Sequence, residues 1–192
     1  MALPSRVEGK HYTYEDFLKL PDDGKRYEII DGELYVAPAP TTKHQRTTTR
    51  LTSTLDLHTR AARLGEVFTA PFDVVLANDA IVEPDIVYVS RARRRILTDP
   101  NVQGAPDLVV EVISPSTTRR DQETKRDLYA RYGVRYYWLA HPIEEWVRAY
   151  ELGKDGAYEL VAEAHKDETF SAPPFPDLAI QLAELWDDLS DD

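Results

Sequence analysis

The sequence predicts an α/β fold in which helices flank a mixed β-sheet, and three observations lead there. Runs rich in Val, Ile and Phe alternate with segments of helical spacing along the 192 residues. Near-continuous apolar runs such as "PDLVVEVI" require cover on both faces of the sheet. With no cysteine, stability rests on packing, and a chain of this length can bury a sufficient core in one domain. The expected layout is one domain over 1–192, with a core at about 12–150 and a C-terminal hairpin and helix at about 151–192.

Thr13 with Asp16 forms a capping pair for a short helix, "YEDFLKL", which the turn residues from Pro21 to Gly24 end. "RYEIIDGELYVAPAP" reads as a hairpin turning at Asp31-Gly32, its second strand stopped by Pro38 to Pro40. From Thr41 to about Leu64 the spacing is helical, with Thr42 as the N-cap and Leu51, Leu55 and Ala62 on a face that also carries His44 and His58. Three strands follow: "EVFTAPFDVVLAN", "AIVEPDIVYVS" and "APDLVVEVISPS". Ser114 or Ser116 caps the next helix, "TTRRDQETKRDLYARY", which ends at Gly133. "VRYYWLAHP", "EWVRAYEL" and, after the "GKDG" turn, "AYELVAEA" read as strands. "LAIQLAELWDDL" reads as an amphipathic helix behind a proline-rich loop.

The missing cysteines exclude thiolate catalysis and cysteine-ligated metals. No apolar stretch has signal-peptide or membrane-span character, so a cytoplasmic location without membrane attachment is expected. A net charge of −11 and a pI near 4.9 argue against general affinity for polyanions, so any nucleic-acid contact needs a local basic patch. HExxH, a phosphate-cradling glycine loop and a serine elbow are all missing, which removes protease, NTPase and esterase readings.

Four acids lie inside apolar strands: Glu28, Asp85, Asp107 and Glu111. A buried carboxylate must be paired, neutralised or bound to a cation. Asp85 and Asp107 each follow a proline and could cap turns; Glu28 could pair with Arg26 or Lys25. Carboxylates on adjacent strands with a third nearby would instead suit Mg²⁺ or Mn²⁺. On the following helix, Lys125 lies one turn after Asp121. That pair is either a solvated salt bridge, or Lys125 reaches over the sheet to offset phosphoryl charge and orient the attacking water while Asp121 orients it.

"RYEIIDGELYVAPAPTTKHQ", "EPDIVYVS", "PDLVVEVISPST" and "RDQETKRDLYARYGVRYYWLAHP" together resemble the Uma-two family, restriction-endonuclease-like proteins of the PD-(D/E)XK nuclease superfamily. The resemblance runs from about Tyr12 to Tyr150. It implies a restriction-endonuclease-like mixed sheet, with Asp85 and Glu111 as metal-binding acids, Glu28 as the upstream acid, and His44 nearby in support. Ile113 stands where the superfamily places lysine, and Lys125 matches the family's helical lysine. Asp107 and Glu111 lie about 13 Å apart along one strand, too far to share an ion, whereas Asp85 and Glu111 on neighbouring strands can approach to about 5 Å.

Two basic clusters could neutralise DNA phosphates: Arg91, Arg93, Arg94 and Arg95, and Arg119, Arg120, Lys125 and Arg126. They could equally be solvated charge. The resulting expectation is a Mg²⁺-dependent endonuclease of DNA, with Mn²⁺ as a substitute ion. Two alternatives stay open: a catalytically silent binding or assembly module, homodimeric through its surface strands and the Trp186 helix, and a metal-dependent hydrolase of small phosphate esters.

Overall fold

The computed structural model describes residues 10–37, 39–114 and 119–187, with the backbone alone at 119–122. In chain order its elements are α1 (Tyr14–Phe17), β1 (Arg26–Ile30), β2 (Glu33–Ala37), α2 (Thr42–Ala61), β3 (Gly65–Thr69), β4 (Asp73–Ala77), β5 (Ala80–Val82) and β6 (Ile86–Ser90). A 3₁₀ turn (Arg91–Ile96) leads into β7 (Asn101–Gln103), β8 (Leu108–Val112), α3 (Arg119–Arg131), β9 (Tyr136–His141), β10 (Trp146–Leu152), β11 (Tyr158–His165), β12 (Thr169–Ala172), β13 (Phe175–Gln181) and α4 (Ala183–Trp186).

Among the described residues the strands form a six-stranded sheet, β11-β10-β9-β8-β6-β3, a five-stranded sheet, β2-β1-β5-β4-β7, and the β12-β13 pair. Both larger sheets are mixed: β8–β9 and β4–β7 run parallel, and their other pairings are antiparallel. The α/β class expected from the sequence is the one observed.

Strand alternation sorts the core. Leu108, Val110 and Val112 of β8 join Leu51 and Leu55 of α2 on one face of the six-stranded sheet. Val109 joins Leu128 and Tyr129 of α3 on the other face, together with Val74, Val82 and Val102 of the five-stranded sheet. Leu51 and Leu55 are wholly buried, each contributing about 1.5–3 kcal/mol by its removal from water. The remaining buried face of α2 is threonine-rich: Thr48 Oγ1 donates to the His44 carbonyl at 2.9 Å, so its hydroxyl is satisfied within the helix.

The Asp31-Gly32 turn has φ of 52° and 75°, the left-handed pair that a two-residue hairpin needs. Gly133, at φ 77°, follows α3 as expected. The α2 N-cap is Thr41 rather than Thr42: the Thr41 hydroxyl accepts from His44 N at 3.3 Å. Ala62 is exposed at the α2 C-terminus rather than on its buried face.

Two apolar runs expected to be single strands are each divided between sheets. "EVFTAPFDVVLAN" supplies β3 to one sheet and β4 to the other, and "AIVEPDIVYVS" supplies β5 and β6 in the same way. Proline explains the second division, because Pro84 has no N–H for a ladder. The C-terminal helix expected over "LAIQLAELWDDL" is also corrected. Leu178, Ile180 and Leu182 alternate at period two, β13 takes the segment as far as Gln181, and only Ala183–Trp186 is helical within the described residues.

Candidate active site

The crossover at Glu83-Pro84-Asp85 sets the site where the chain passes from the five-stranded to the six-stranded sheet. Ile86 pairs with Val110, so one step further places Asp85 beside Glu111. Asp85 is 5% exposed. Its Oδ2 accepts from Val112 N at 2.9 Å and lies 3.0 Å from His44 Nε2, while Arg26 Nη1 stands 3.5 Å from Oδ1. An ionised carboxylate only accepts, so His44 carries its proton on Nε2. Burial pushes the Asp85 carboxyl up, but His44, the Val112 amide and Arg26 together bring it below the usual aspartate value.

Glu28 is in the middle of β1, on the same face as Arg26 and Ile30. Its Oε1 accepts from Glu83 N at 3.1 Å and from Lys125 Nζ at 2.8 Å. Glu111 sits near the exit of β8, where its Oε1 accepts from Lys125 Nζ at 3.1 Å and from the Tyr129 hydroxyl at 2.6 Å. Burial raises the Glu111 carboxyl above the usual glutamate value; Lys125 opposes this, and the Asp85 and Glu28 charges add to it.

Lys125 and Tyr129 are one turn apart on α3 and so project from one face of the helix. Burial disfavours the Lys125 charge, but Glu111 and Glu28 outweigh it and raise the ammonium above its ordinary value. Lys125 is therefore a fixed positive charge in this arrangement. Burial and the Glu111 carboxylate hold the Tyr129 hydroxyl protonated, as a donor. Ile113 is 6% exposed within the apolar cluster on the α3 side, so the ammonium on Glu111 comes from Lys125.

Glu28, Asp85, Glu111, Lys125 and His44 thus lie together at the junction of the two sheets. The Asp121, Arg119 and Arg120 side chains lie outside the described residues. Glu28 pairs with neither Arg26 nor Lys25. Arg26 Nε instead holds Glu83 Oε2 at 2.9 Å, and Lys25 holds Asp23 at 2.6 Å. Asp107 occupies the entrance of β8, where it accepts from Ser90 N at 2.7 Å.

The arginines after β6 do not border the acids. They begin about 20 Å along the strand from Asp85, by the rise of six residues. Arg93 is tied to this far end, donating to Ala105 O at 2.6 Å and standing 3.5 Å from Asp107 Oδ1. Arg126 lies over the Tyr150 ring at 5.0 Å. His58 packs edge-on against Phe175, which makes it a core contact.

Sequence reasoning missed Tyr129, whose signal was its i+4 spacing from Lys125. It also missed Glu83, a fifth acid in the same apolar stretch, 8% exposed and paired with Arg26.

The carboxylates of Glu28, Asp85 and Glu111 are hard oxygen donors of the kind Mg²⁺ and Mn²⁺ take. Among the described residues, no group of three or more His, Asp or Glu side chains is arranged to hold a metal ion. The Lys125 ammonium nonetheless touches both Glu28 and Glu111, showing that one cation can reach oxygens from both sheets. In donor chemistry the residues fit a divalent ion.

A family model described as "Putative restriction endonuclease" (Uma2) matches residues 14–183. The chain belongs to the Uma2 family. The match spans the hairpin, both larger sheets and the acidic site. No curated protein matches this Uma2 chain. A crystal structure from Anabaena variabilis, described as "a putative nuclease belonging to DUF820", is similar in fold, with a TM-score of 0.75. At 22% identity the alignment covers 91% of this chain and 97% of that one. The restriction-endonuclease-like fold expected from the resemblance is borne out.

Proposed function

We propose that this Uma2 protein is a divalent-metal-dependent endonuclease that hydrolyses DNA phosphodiester bonds. The observation that supports it most is the meeting of Glu28 from one sheet and Glu111 from the other at the Lys125 ammonium, with Asp85 beside Glu111 at the crossover. Restriction-endonuclease-like nucleases generally use divalent metals. Asp85 and Glu111, with Glu28 directly or through water, would hold the ion, Mg²⁺ with Mn²⁺ as a substitute. When bound, such an ion offsets phosphate charge and acidifies a water for attack.

The protein's own residues divide the remaining work. The Val112 amide and His44 Nε2–H keep Asp85 anionic and oriented. Tyr129 fixes one oxygen of Glu111. Lys125, protonated and shared between Glu28 and Glu111, counters charge on the phosphoryl group and orients the nucleophile without accepting its proton. Nicking of supercoiled plasmid with Mg²⁺ or Mn²⁺ tests this: wild type should cut and stop on chelation, while Asp85→Ala and Lys125→Ala should each lose at least 100-fold, on the order expected when a transition-state contact is removed. Equal activity in all three proteins would overturn the assignment.

A catalytically silent module is the second reading. The observation favouring it is that Lys125, Arg26, His44 and Tyr129 already compensate the acids from within the chain. Calorimetric titration separates the two: heat of Mn²⁺ binding that Asp85→Ala removes supports the enzyme, and no binding at millimolar ion supports the module.

A further inference from the structure

Five arginines gather at the end of the molecule away from the acids. Arg60 and Arg63 close α2, and Arg91, Arg94 and Arg95 lie on the 3₁₀ turn after β6; all five are exposed. Arg91 N donates to Leu64 O at 2.7 Å, and Gly65 pairs with Ser90, so the two groups share one corner. Only Arg60 among them has an ion-pair partner within the described residues, a loose 3.5 Å contact with Asp56. Against a net charge of −11, such a concentration is not what even dispersal of surface charge would give. Arg60 and Arg63 also complement the carbonyl end of α2, but that does not account for Arg91, Arg94 and Arg95.

We infer that this corner grips the phosphates of duplex DNA flanking the cleavage point. The inference rests on the nuclease reading and adds a second, separate contact to it. The α2 helix links the two places: its His44 end touches Asp85, and its Arg60 end lies about 24 Å away by helical rise. With the path of about 20 Å along β6, the corner stands some six to seven base-pair steps of about 3.4 Å from the acids. Guanidinium forks suit phosphate oxygens, and contacts to the backbone alone position a duplex without reading its sequence. Glu66, exposed on β3 one residue from Gly65 and opposite Val89, sets one acid at the edge of the corner against its five arginines.

Arg93 is excluded from the grip by its bonds to Ala105 and Asp107 and serves as the internal contrast. The test compares full-length wild type with Arg63→Glu/Arg94→Glu/Arg95→Glu, first confirmed folded by circular dichroism. Anisotropy with a fluorescent 30-base-pair duplex is followed from 50 to 200 mM salt without divalent ions. Loss of three phosphate contacts should weaken binding at least tenfold and flatten the log–log salt slope by about 2.7, at roughly 0.9 per phosphate. Hydrolysis of bis(p-nitrophenyl) phosphate, too small to reach the corner, should be unchanged.

Unchanged duplex affinity and slope in the triple variant would overturn the inference. So would altered self-association with DNA binding intact, which would assign the corner to a protein contact. Wild type that hydrolyses the small diester but binds no duplex overturns the inference and leaves a phosphodiesterase site standing. Wild type that binds duplex with the arginine-dependent slope but hydrolyses nothing supports the grip and contradicts the catalytic reading.

Discussion

The Lys125 ammonium lies 2.8 Å from Glu28 Oε1, which ties α3 to the five-stranded sheet, and the same nitrogen holds Glu111 of the six-stranded sheet at 3.1 Å. One cation therefore joins a helix and two sheets through two carboxylates. Its removal should disturb stability and cation affinity together.

Lys125→Met leaves Glu28 and Glu111 without a cation between them, their remaining donors being the Glu83 amide and the Tyr129 hydroxyl. Breaking a buried pair in this way should destabilise the protein by roughly 3–5 kcal/mol at neutral pH, read from urea midpoints. Millimolar Mg²⁺ should raise the variant's midpoint by more than it raises that of wild type, because the ion and the ammonium serve the same oxygens. Equal metal responses would show that they do not.

Tyr129→Phe deletes the donor to Glu111 and little volume. A bond to a charged acceptor of this kind contributes about 1.5–3 kcal/mol, so urea denaturation should show a loss in that range. Cleavage should fall as well, since one oxygen of Glu111 is left without its fixed partner.

His44→Gln retains an N–H able to reach Asp85, whereas His44→Ala does not. Cleavage should decline modestly in the first and by more than tenfold in the second. Equal losses in plasmid nicking would mean that His44 contributes something other than a donor.

Asp85 and Glu111 act on stability with opposite signs as pH changes. The lowered Asp85 value contributes stability that is present above the ordinary aspartate range and lost as pH falls through the folded value. The raised Glu111 value works the other way: its contribution declines as pH rises from the ordinary glutamate value toward the folded one. The stability difference between wild type and Asp85→Asn should thus be largest near neutrality and shrink below about pH 3.9. Chemical denaturation at several pH values measures it, and a gap independent of pH would contradict the pairing.

Much of the site was legible because burial of a carboxylate is conspicuous in sequence. Glu28, Asp85 and Glu111 interrupt apolar strands, and Asp31-Gly32 fixes a hairpin with little alternative. Tyr129 was less visible, because a tyrosine on an apolar helix face reads as core whether or not its hydroxyl has work to do. The division of "AIVEPDIVYVS" between sheets depended on Pro84, and which partner each half took is a tertiary outcome that local pattern does not specify. β13 reads as helix from sequence because Leu178, Ile180, Leu182 and Leu185 satisfy both periods over so short a run. Order along the chain sets Arg93 to Arg95 just after the Asp85 strand but does not reveal that β6 carries them away from Asp85.

In the proposed site Asp85 and Glu111 share one divalent ion, with Glu28 joining directly or through water. Anomalous diffraction from a crystal soaked in millimolar Mn²⁺ measures this directly. A peak contacted by both Asp85 and Glu111 is the predicted result. A crystal with Mn²⁺ bound elsewhere, or none between those two residues, would contradict it.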